Sequence, residues 1–403
     1  MFTPRVFHIV DQDLSTVGGH FYAQADSISA ACLKRGIQVK IYGRVGTNLS
    51  INGVSVQGVF RFSGGVEPTP ENEIFAVFGT YFLVNRAFFE DLSLLQRSEF
   101  SQDDLVYFPG LVQNQIEAVA DWGVTFPAEM RPNLAITLRY SNSKMNHNVA
   151  RGHTAGIEFL YRHSLARLVE RYPRAYLFSD TPALSSLYQQ ISGIPVIPLP
   201  VPQHTAAPDQ IQETKIHKNE LSILFIGTMY QTRGSSHILR IVELTLNNFN
   251  NVNFVIQIND PTEETAASIM KDISEVHRSR THFLLGSLSI DDYNNALSTS
   301  DIVMLPCAPN NYVFNSSGVF TEAAALGKVI VTTIGTTLEA SASTYNLGFT
   351  VASAFTAESF AEALNGAIVN FSELSEKAKL SKIRFSKENS SESFLHKMFE
   401  RMT

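Results

Sequence analysis

Short apolar runs alternate along the chain with longer segments in which apolar residues recur at helical spacing. In the first unit, a mainly apolar run at 5–10 precedes a polar loop, a helical pattern at about 20–35 and a segment at 37–42 in which apolar and polar residues alternate. This order predicts a β-α-β unit, which is how a doubly wound domain begins. The alternation continues, with strands predicted at 104–108, 134–139, 175–178 and 196–197 and helices at 83–97, 113–122, 156–171 and 182–191.

A segment rich in proline and polar residues divides the chain. Proline stands at 195, 198, 200 and 202, and the residues that follow lack apolar periodicity, which is typical of a linker. We therefore predict an N-terminal domain at 1–203, a linker at 204–220, a C-terminal domain at 221–386 and a final helical segment at 387–403. In the second series the predicted strands are 223–226, 252–257, 282–285, 301–305 and 329–332, and the predicted helices are 235–248, 262–279, 290–299, 317–326, 356–370, 373–384 and 390–402.

Strand and helix alternate at every predicted connection, so both sheets should be mainly parallel with right-handed crossovers. The predicted fold class is α/β, with two doubly wound Rossmann-like domains. Sheets of this kind bind ligands outside the carboxyl ends of their strands. Two such domains in tandem are expected to face each other across a cleft.

Composition narrows the class of protein. Of 403 residues, 44% are apolar and 17% are charged, which is enough apolar material for two cores. The formal net charge of −7 argues against general nucleic-acid binding. The two cysteines, Cys32 and Cys307, lie far apart and predict neither a disulfide framework nor a metal site. No signal-peptide pattern opens the sequence and no apolar stretch approaches 18 residues, so we expect a cytoplasmic protein.

The stretch from 315 to 333 carries the clearest candidate chemistry. Ser316, Ser317 and Gly318 open an alanine-rich helix that follows a predicted strand, and Glu322 stands one turn further along. The start of a helix offers unpaired N–H groups and the positive end of the helix dipole, both of which suit a phosphate. Glu322 is then close enough to bind a sugar hydroxyl beside that phosphate. An N-capped core helix with a solvated glutamate explains the same residues equally well.

A glycine pair, Gly18-Gly19, follows the first strand. Glycines at this place let backbone N–H groups approach a ligand, although ordinary turn chemistry would also select them. The pair is not the G-x-G-x-x-G dinucleotide motif, and no Walker loop occurs in the chain.

An ordered set of motifs extends the pattern over essentially the whole chain. They are Gly18-Gly19, the strand 223–226 with Gly227 and Arg233-Gly234, Leu285-Gly286 with Asp292-Tyr293, the run 300–306, and the segment 316–323 with 327–330. This set resembles the GT-B glycosyltransferases, in particular the retaining family-four (group 1) enzymes that use nucleotide-sugar donors. In that architecture the final helix packs back on the N-terminal domain, which we expect of 387–403.

The resemblance implies roles for individual residues. Sugar transfer passes through an oxocarbenium-like state while negative charge grows on the departing phosphate, so fixed positive charge is needed there. Arg233 would supply that charge, although it could also be an ordinary solvated residue, and Glu322 would bind the ribose hydroxyls. These two are the catalytic candidates. The donor-binding candidates are Gly18, Gly19, Gly227, Thr228, Ser316, Ser317, Gly318, Val319 and Glu322.

The sequence departs from the family pattern at two places. Phe314 stands where the family usually has the first glutamate of its motif, and Thr228 stands where an arginine is usual. Two hypotheses follow. The protein is a hexosyltransferase, or it is a catalytically weakened GT-B protein that acts as a nucleotide-binding partner or regulatory subunit. A sugar-nucleotide epimerase ranks below both, because no clustered acidic pair suits proton abstraction.

The acceptor side is defined by fewer residues. Arg139, His147 and His153 lie at or beyond the strand 134–139, where acceptors of this family bind, although each is more readily explained as a surface residue. The implied co-substrate is a nucleotide-diphosphate sugar such as a UDP-sugar, with no metal or other cofactor. The implied acceptor is a glycan, a lipid-linked molecule or a small molecule, as in polysaccharide biosynthesis. The basic run at 377–387 allows peripheral contact with the inner membrane face, but its interleaved glutamates favour a solvated helix.

Overall fold

The structure is a computed structural model that describes residues 2–62, 73–139, 154–202, 220–259 and 275–402. The chain divides into two compact units. Unit 1 comprises residues 1–202 and 389–403, and unit 2 comprises residues 203–388. Each unit is a mainly parallel sheet with helices, so the predicted fold class of two Rossmann-like α/β domains is confirmed.

Unit 1 is built on an eight-stranded sheet. Its strands are β1 (Val6–Val10), β2 (Gln38–Arg44), β3 (Ser50–Ile51), β4 (Val54–Phe60), β5 (Leu105–Leu111), β6 (Asn133–Leu138), β7 (Ala175–Ser179) and β8 (Ile197–Pro198). They lie in the order β3-β4-β2-β1-β5-β6-β7-β8, and the chain order reverses between β1 and β5. Every residue of β1 and β6 is buried, as expected for central strands covered on both faces.

Five helices connect these strands. They are α1 (Gly19–Lys34), α2 (Glu73–Leu92), α3 (Gln113–Gly123), α4 (Thr154–Arg171) and α5 (Pro182–Ser192). The ends of α5 show why the sequence predicts helices well here. The Thr181 hydroxyl accepts a hydrogen bond from the Leu184 N–H at its start, and Gly193 ends it in the left-handed conformation.

Unit 2 is built on a six-stranded parallel sheet. Its strands are β9 (Leu221–Phe225), β10 (Val252–Ile258), β11 (Thr281–Leu285), β12 (Ile302–Met304), β13 (Val329–Thr333) and β14 (Phe349–Ala352). They lie in the order β11-β10-β9-β12-β13-β14. The direction of winding therefore reverses between β9 and β12, which opens a crevice at the carboxyl ends of these two strands.

The helices of unit 2 cover both faces of this sheet. They are α6 (Ile238–Asn248), α7 (Glu275–Arg278), α8 (Ile290–Thr299), α9 (Pro309–Tyr312), α10 (Gly318–Leu326), α11 (Thr337–Tyr345), α12 (Ala357–Val369) and α13 (Phe371–Glu388). One core holds α6 and α12 against one face, and a second core holds α10 and α11 against the other. Because the strands are parallel, the loops that lead from them into these helices all lie at the carboxyl edge of the sheet.

The last helix, α14 (Ser391–Glu400), belongs to unit 1. Four of its apolar side chains are buried in the same core as Phe7 of β1, and they are Phe394, Leu395, Met398 and Phe399. Burying an apolar side chain of this size stabilises a fold by about 1.5–3 kcal/mol. At its start, Arg35 Nε donates to Glu392 Oε2 at 2.7 Å. The helix is thus an integral part of unit 1.

The structure corrects several sequence predictions. Helix α2 begins at Glu73 rather than at 83, and β3 with β4 forms an antiparallel hairpin without a helix between them. Neither α11 nor β14 was predicted, because one is short and rich in small residues and the other has only four residues. Of the helix predicted at 262–279, only α7 lies in the described part of the chain. Nearly all of the predicted linker at 204–220 lies outside it. Among the described residues, no helix has the length and apolarity needed to cross a membrane.

Candidate functional site

The loops that follow β9 and β12 enclose a pocket in unit 2. Its empty volume, including the part open to solvent, is ≈ 440 Å³. Five of the predicted donor-side residues line it, namely Gly227, Thr228, Arg233, Ser317 and Val319. Residues separated by more than 80 positions thus meet where the winding of the sheet reverses, which is the usual place for a ligand in this kind of sheet.

The loop after β9 is fixed by hydrogen bonds to the side chain of a glutamine. Gly227 has a φ of +105°, which only glycine adopts readily. Its N–H donates to Gln257 Oε1 at 2.9 Å, and Gln257 Nε2 donates to the Gly286 carbonyl at 3.1 Å. The side chain of Gln257 therefore ties together the loops at the ends of β9 and β11. This fixes the floor of the pocket.

Arg233 is the cation of this pocket. It ends a short 3₁₀ turn and is followed by Gly234, which has a φ of +70° and packs so closely on Pro306 that an added Cβ would lie 2.8 Å from the proline Cβ. Arg233 Nε donates to the Tyr312 hydroxyl at 2.9 Å. Burial alone would lower the pKa of Arg233, but Tyr312 and Cys307 outweigh it, so the pKa is raised and the guanidinium stays charged.

Helix α10 points its first turn toward the same pocket. The Ser317 hydroxyl caps it by accepting from the Phe320 N–H at 3.3 Å. The N–H groups of Gly318 and Val319 precede the first intrahelical bond and so have no acceptor within the helix. A buried serine hydroxyl, two N–H groups and the positive end of the dipole therefore lie beside Arg233.

Glu322 lies one turn into α10, where it accepts a hydrogen bond from the Tyr293 hydroxyl of α8. Burial raises the pKa of Glu322 to about 7, and the hydrogen bond from Tyr293 opposes this shift. The pKa of Tyr293 is raised well above its ordinary value by burial and by the Glu322 carboxylate, while Arg233 acts in the other direction. Glu322 is thus linked to the pocket cation through Tyr293, which is hydrogen-bonded to Glu322 and whose pKa Arg233 lowers.

The loop before α10 is fixed from a different helix. The Thr337 hydroxyl at the start of α11 donates to the carbonyls of Tyr312, at 3.1 Å, and Asn315. Asn315 is buried and its side chain donates to the Asn311 carbonyl. Ser316 and Phe314 lie on this loop, so their positions are set by α11, the helix that sequence analysis missed.

The remaining predicted residues lie in unit 1 or outside the described residues. Gly18 and Gly19 have φ values of +93° and +70° and begin α1. Arg139 follows β6 and its Nη2 donates to Gln24 Oε1 at 2.6 Å. His147 and His153 lie outside the described residues, so their assignment to the acceptor side stays a prediction.

Two partners of the site were not assigned a role from the sequence. Gln257 is a polar residue near the end of a mainly apolar strand, Val-Asn-Phe-Val-Ile-Gln-Ile, and a polar residue at that end was the available signal. Tyr312 opens a Tyr…Ser-Gly…Glu-Ala arrangement in the sequence, but its contact with Arg233 depends on how the short helix α9 packs. Tyr293 belonged to a recognised motif, but its contact with Glu322 depends on how α8 and α10 pack.

Comparison with solved structures identifies the class of protein. Sucrose-phosphate synthase from Thermosynechococcus elongatus is similar over 98% of both chains, with a TM-score of 0.69 and 11% identity. An E. coli structure described as trehalose-6-phosphate bound with UDP-2-fluoro glucose is similar over 98% of both chains, with a TM-score of 0.68 and 10% identity. Anabaena Alr3699/HepE in complex with UDP and glucose is similar over 99% of both chains, with a TM-score of 0.63 and 13% identity. At this level of identity the likeness shows the fold, which is GT-B.

The C-terminal part of the chain also matches a sequence family. Residues 220–370 match the model of the family described as Glycosyl transferases group 1. The matched region contains the pocket, Arg233, the start of α10 and Glu322, and the predicted resemblance is confirmed. No protein of curated function matches the chain in sequence.

Proposed function

We propose that this protein is a glycosyltransferase that moves a sugar from a nucleoside diphosphate sugar to an acceptor, with retention of configuration. The observation that carries the proposal is the meeting of Arg233 and the capped start of α10 at one crevice of unit 2, with Glu322 one turn further along that helix. The match of residues 220–370 to the group 1 glycosyl transferases supports it.

Each part of the crevice has a step to perform. The N–H groups of Gly318 and Val319, with the Ser317 hydroxyl, bind the diphosphate. Arg233 neutralises the charge that grows on the leaving phosphate, and it does so in a partly buried pocket where such a charge acts strongly. Glu322, when ionised, accepts hydrogen bonds from the ribose hydroxyls. Binding and leaving-group stabilisation are thus separate tasks of separate side chains.

The donor we propose is a UDP-sugar. Support comes from two structures of the same fold, one bound with UDP-2-fluoro glucose and one in complex with UDP and glucose. Retention is proposed from the resemblance of the motifs to the retaining enzymes of this group.

The test measures the affinity for UDP and the rate of UDP-glucose hydrolysis in the wild type and in the Glu322→Ala variant. Hydrogen bonds to a charged group contribute about 1.5–3 kcal/mol each, so we expect UDP affinity to fall at least about tenfold. Glu358→Ala is the matched control, because Glu358 is an exposed glutamate of the same unit with a side chain 66% accessible. Equal UDP affinity in the two variants would overturn the role of Glu322, and no binding of any nucleoside diphosphate to the wild type would overturn the function.

A second candidate function is a nucleotide-binding protein without transferase activity. It is favoured by one observation, which is that Arg233 is the single basic residue among the described residues that line the pocket, with Thr228 and Phe314 at the usual arginine and glutamate positions. UDP binding without any release of UDP from UDP-glucose would favour this candidate. Measurable UDP release that Arg233→Gln abolishes would exclude it.

A further inference from the structure

Unit 1 has a polar cluster at the carboxyl edge of its own sheet, next to the point where β1 and β5 reverse the winding. Arg139 Nη2 donates to Gln24 Oε1 at 2.6 Å, and Gln24 Nε2 donates to the Tyr107 hydroxyl at 2.9 Å. That hydroxyl lies 3.2 Å from Thr137 Oγ1. Four elements, α1, β5, β6 and the loop after β6, therefore contribute to one network of hydrogen bonds.

Asp11, directly after β1, adds a carboxyl group to this network. It is only 6% exposed, and its Oδ1 accepts from the Asp13 N–H at 3.0 Å. Burial raises the pKa of Asp11 to about 7, while the Arg139 guanidinium opposes the shift. Ile9 of β1 pairs with Tyr107 of β5, which places Asp11 beyond the same edge of the sheet, and Asp11 and Arg139 each act on the pKa of Tyr107.

The same edge holds buried polar atoms that have no hydrogen-bond partner. Leu111 at the end of β5 pairs with Leu138, so the start of α3 and Arg139 emerge side by side from the sheet. Gln113 and Gln115 are 4% and 0% exposed. Among the described residues, the buried atoms without a partner include Gln113 Oε1, Asn114 Oδ1, Gln115 Nε2 and Arg139 Nε. Leaving such groups unpaired is costly, so their concentration here indicates a ligand.

We propose that this cluster of Asp11, Gln113, Asn114, Gln115 and Arg139 binds the acceptor, and that the acceptor is a neutral, hydroxyl-rich molecule rather than a sugar phosphate. The inference rests on the proposed function, because it names the second substrate of the same reaction. A hydroxyl group both donates and accepts a hydrogen bond. It therefore suits a set of partners that contains both free acceptors and free donors.

The charges of the cluster argue against an anionic ligand. Its one cation among the described residues, Arg139, acts on the pKa of Asp11, and the register of Leu138 with Ser179 places the buried Asp180 beside Arg139. A phosphate group would meet two carboxyl groups and one compensated cation. The pocket of unit 2 is the opposite case, because Arg233 is bonded there to a neutral tyrosine beside the positive end of a helix.

The fold by itself does not decide whether the acceptor is neutral or anionic. Sucrose-phosphate synthase shares the fold, and its name shows a phosphorylated sugar in its reaction. At 11% identity the residues at the ends of the strands are free to differ, so the charge of the acceptor must be inferred from those residues in this chain.

The experiment measures acceptor binding to the full chain by saturation-transfer NMR in the presence of UDP. The probes are methyl α-glucoside, sucrose and myo-inositol as neutral polyols, and glucose 6-phosphate as the anionic counterpart. We expect at least one neutral probe to bind, and Asp11→Asn and Gln113→Ala to weaken that binding at least about fivefold. Asp103→Asn is the matched control, since Asp103 is an exposed aspartate just before β5, at the opposite edge of the same sheet.

The outcomes separate this inference from the proposed function. It is overturned if none of the neutral probes binds, if their binding is the same in Asp11→Asn as in Asp103→Asn, or if glucose 6-phosphate binds more tightly than every neutral probe. UDP affinity, measured on the same samples, should be unchanged in Asp11→Asn, and an unchanged denaturant unfolding curve shows that unit 1 of the variant is folded. Transfer from UDP-glucose to glucose 6-phosphate alone would uphold the glycosyltransferase and reject the neutral acceptor.

Discussion

Two carboxyl groups, Glu322 in unit 2 and Asp11 in unit 1, lie near the carboxyl edges of two doubly wound sheets. Burial raises the pKa of each to about 7. Their partners differ, because Glu322 accepts from a tyrosine hydroxyl, whereas Asp11 accepts from a backbone N–H and lies near an arginine. The arginine near Glu322 is bonded to a neutral tyrosine, whereas the arginine near Asp11 acts directly on the pKa of that carboxyl group. Under the two proposals, the carboxyl edge of the sheet binds an anionic ligand in unit 2 and a neutral one in unit 1.

The largest effect is expected at the cation of unit 2. Arg233→Gln removes the charge that faces the diphosphate while keeping a side chain that can bond to Tyr312. A charged hydrogen bond contributes about 1.5–3 kcal/mol, so UDP affinity should fall about 10- to 100-fold, with a larger loss in turnover. Isothermal titration with UDP and release of UDP from UDP-glucose measure the two effects.

Arg240→Gln is the control for this change, because Arg240 lies on α6 of the same unit and makes only exposed ion pairs. If both variants bind UDP equally, unit 2 has no dedicated phosphate cation and the contrast with the balanced charges of unit 1 disappears.

The second expected effect is on folding stability, and it differs between a glycine loop of unit 2 and one of unit 1. Gly234 and Gly19 both have a φ of +70°, but an added Cβ at Gly234 would lie 2.8 Å from Pro306, whereas at Gly19 it would meet nothing within 4 Å. Gly19→Ala should therefore cost about 1–2 kcal/mol of folding stability, the penalty of the left-handed conformation alone. Gly234→Ala should cost about 1–3 kcal/mol more, because a well-packed loop must also shift.

Denaturant unfolding of the two variants measures this difference. Gly335→Ala is a further control within unit 2, since its φ is +75° and its added Cβ also meets nothing within 4 Å. A Gly234→Ala variant as stable as Gly335→Ala would show that the loop after β9 is not held against Pro306 and that Arg233 is placed by other means.

These residues also show what the sequence could and could not predict. Apolar periodicity located the central strands to within a few residues, since a fully buried strand such as Ile302–Met304 has few alternatives. Motif spacing placed Arg233 and Glu322 in one domain. It could not give their partners Tyr312 and Tyr293, because those contacts depend on side-chain packing between helices far apart in sequence. Helix α11, which fixes the loop of Phe314 and Ser316, was missed because its small residues carry almost no amphipathic signal.

The smallest effect, and the sharpest test of the comparison, is the pH dependence of donor binding. The ribose hydroxyls bind the ionised form of Glu322, whose pKa is about 7, so donor affinity should rise with pH through 7 and level off above it. Between pH 6 and pH 8 the ionised fraction of such a group rises about tenfold, and affinity should follow. UDP-glucose is the ligand of choice, because it lacks the terminal phosphate monoester that titrates near pH 6 in UDP.

Two variants assign this pH dependence to one carboxyl group. The Tyr293 hydrogen bond lowers the pKa of Glu322, so Tyr293→Phe should move the rise in affinity to higher pH, whereas Tyr345→Phe, which keeps its ring against Phe385, should not. Asp11→Asn should leave the donor profile unchanged, although it removes the other carboxyl group that titrates near pH 7. A donor profile that follows Asp11 instead of Glu322 would mean that the two sites do not divide donor and acceptor as their charges indicate. A profile that follows Glu322 alone would assign recognition of the nucleotide to unit 2.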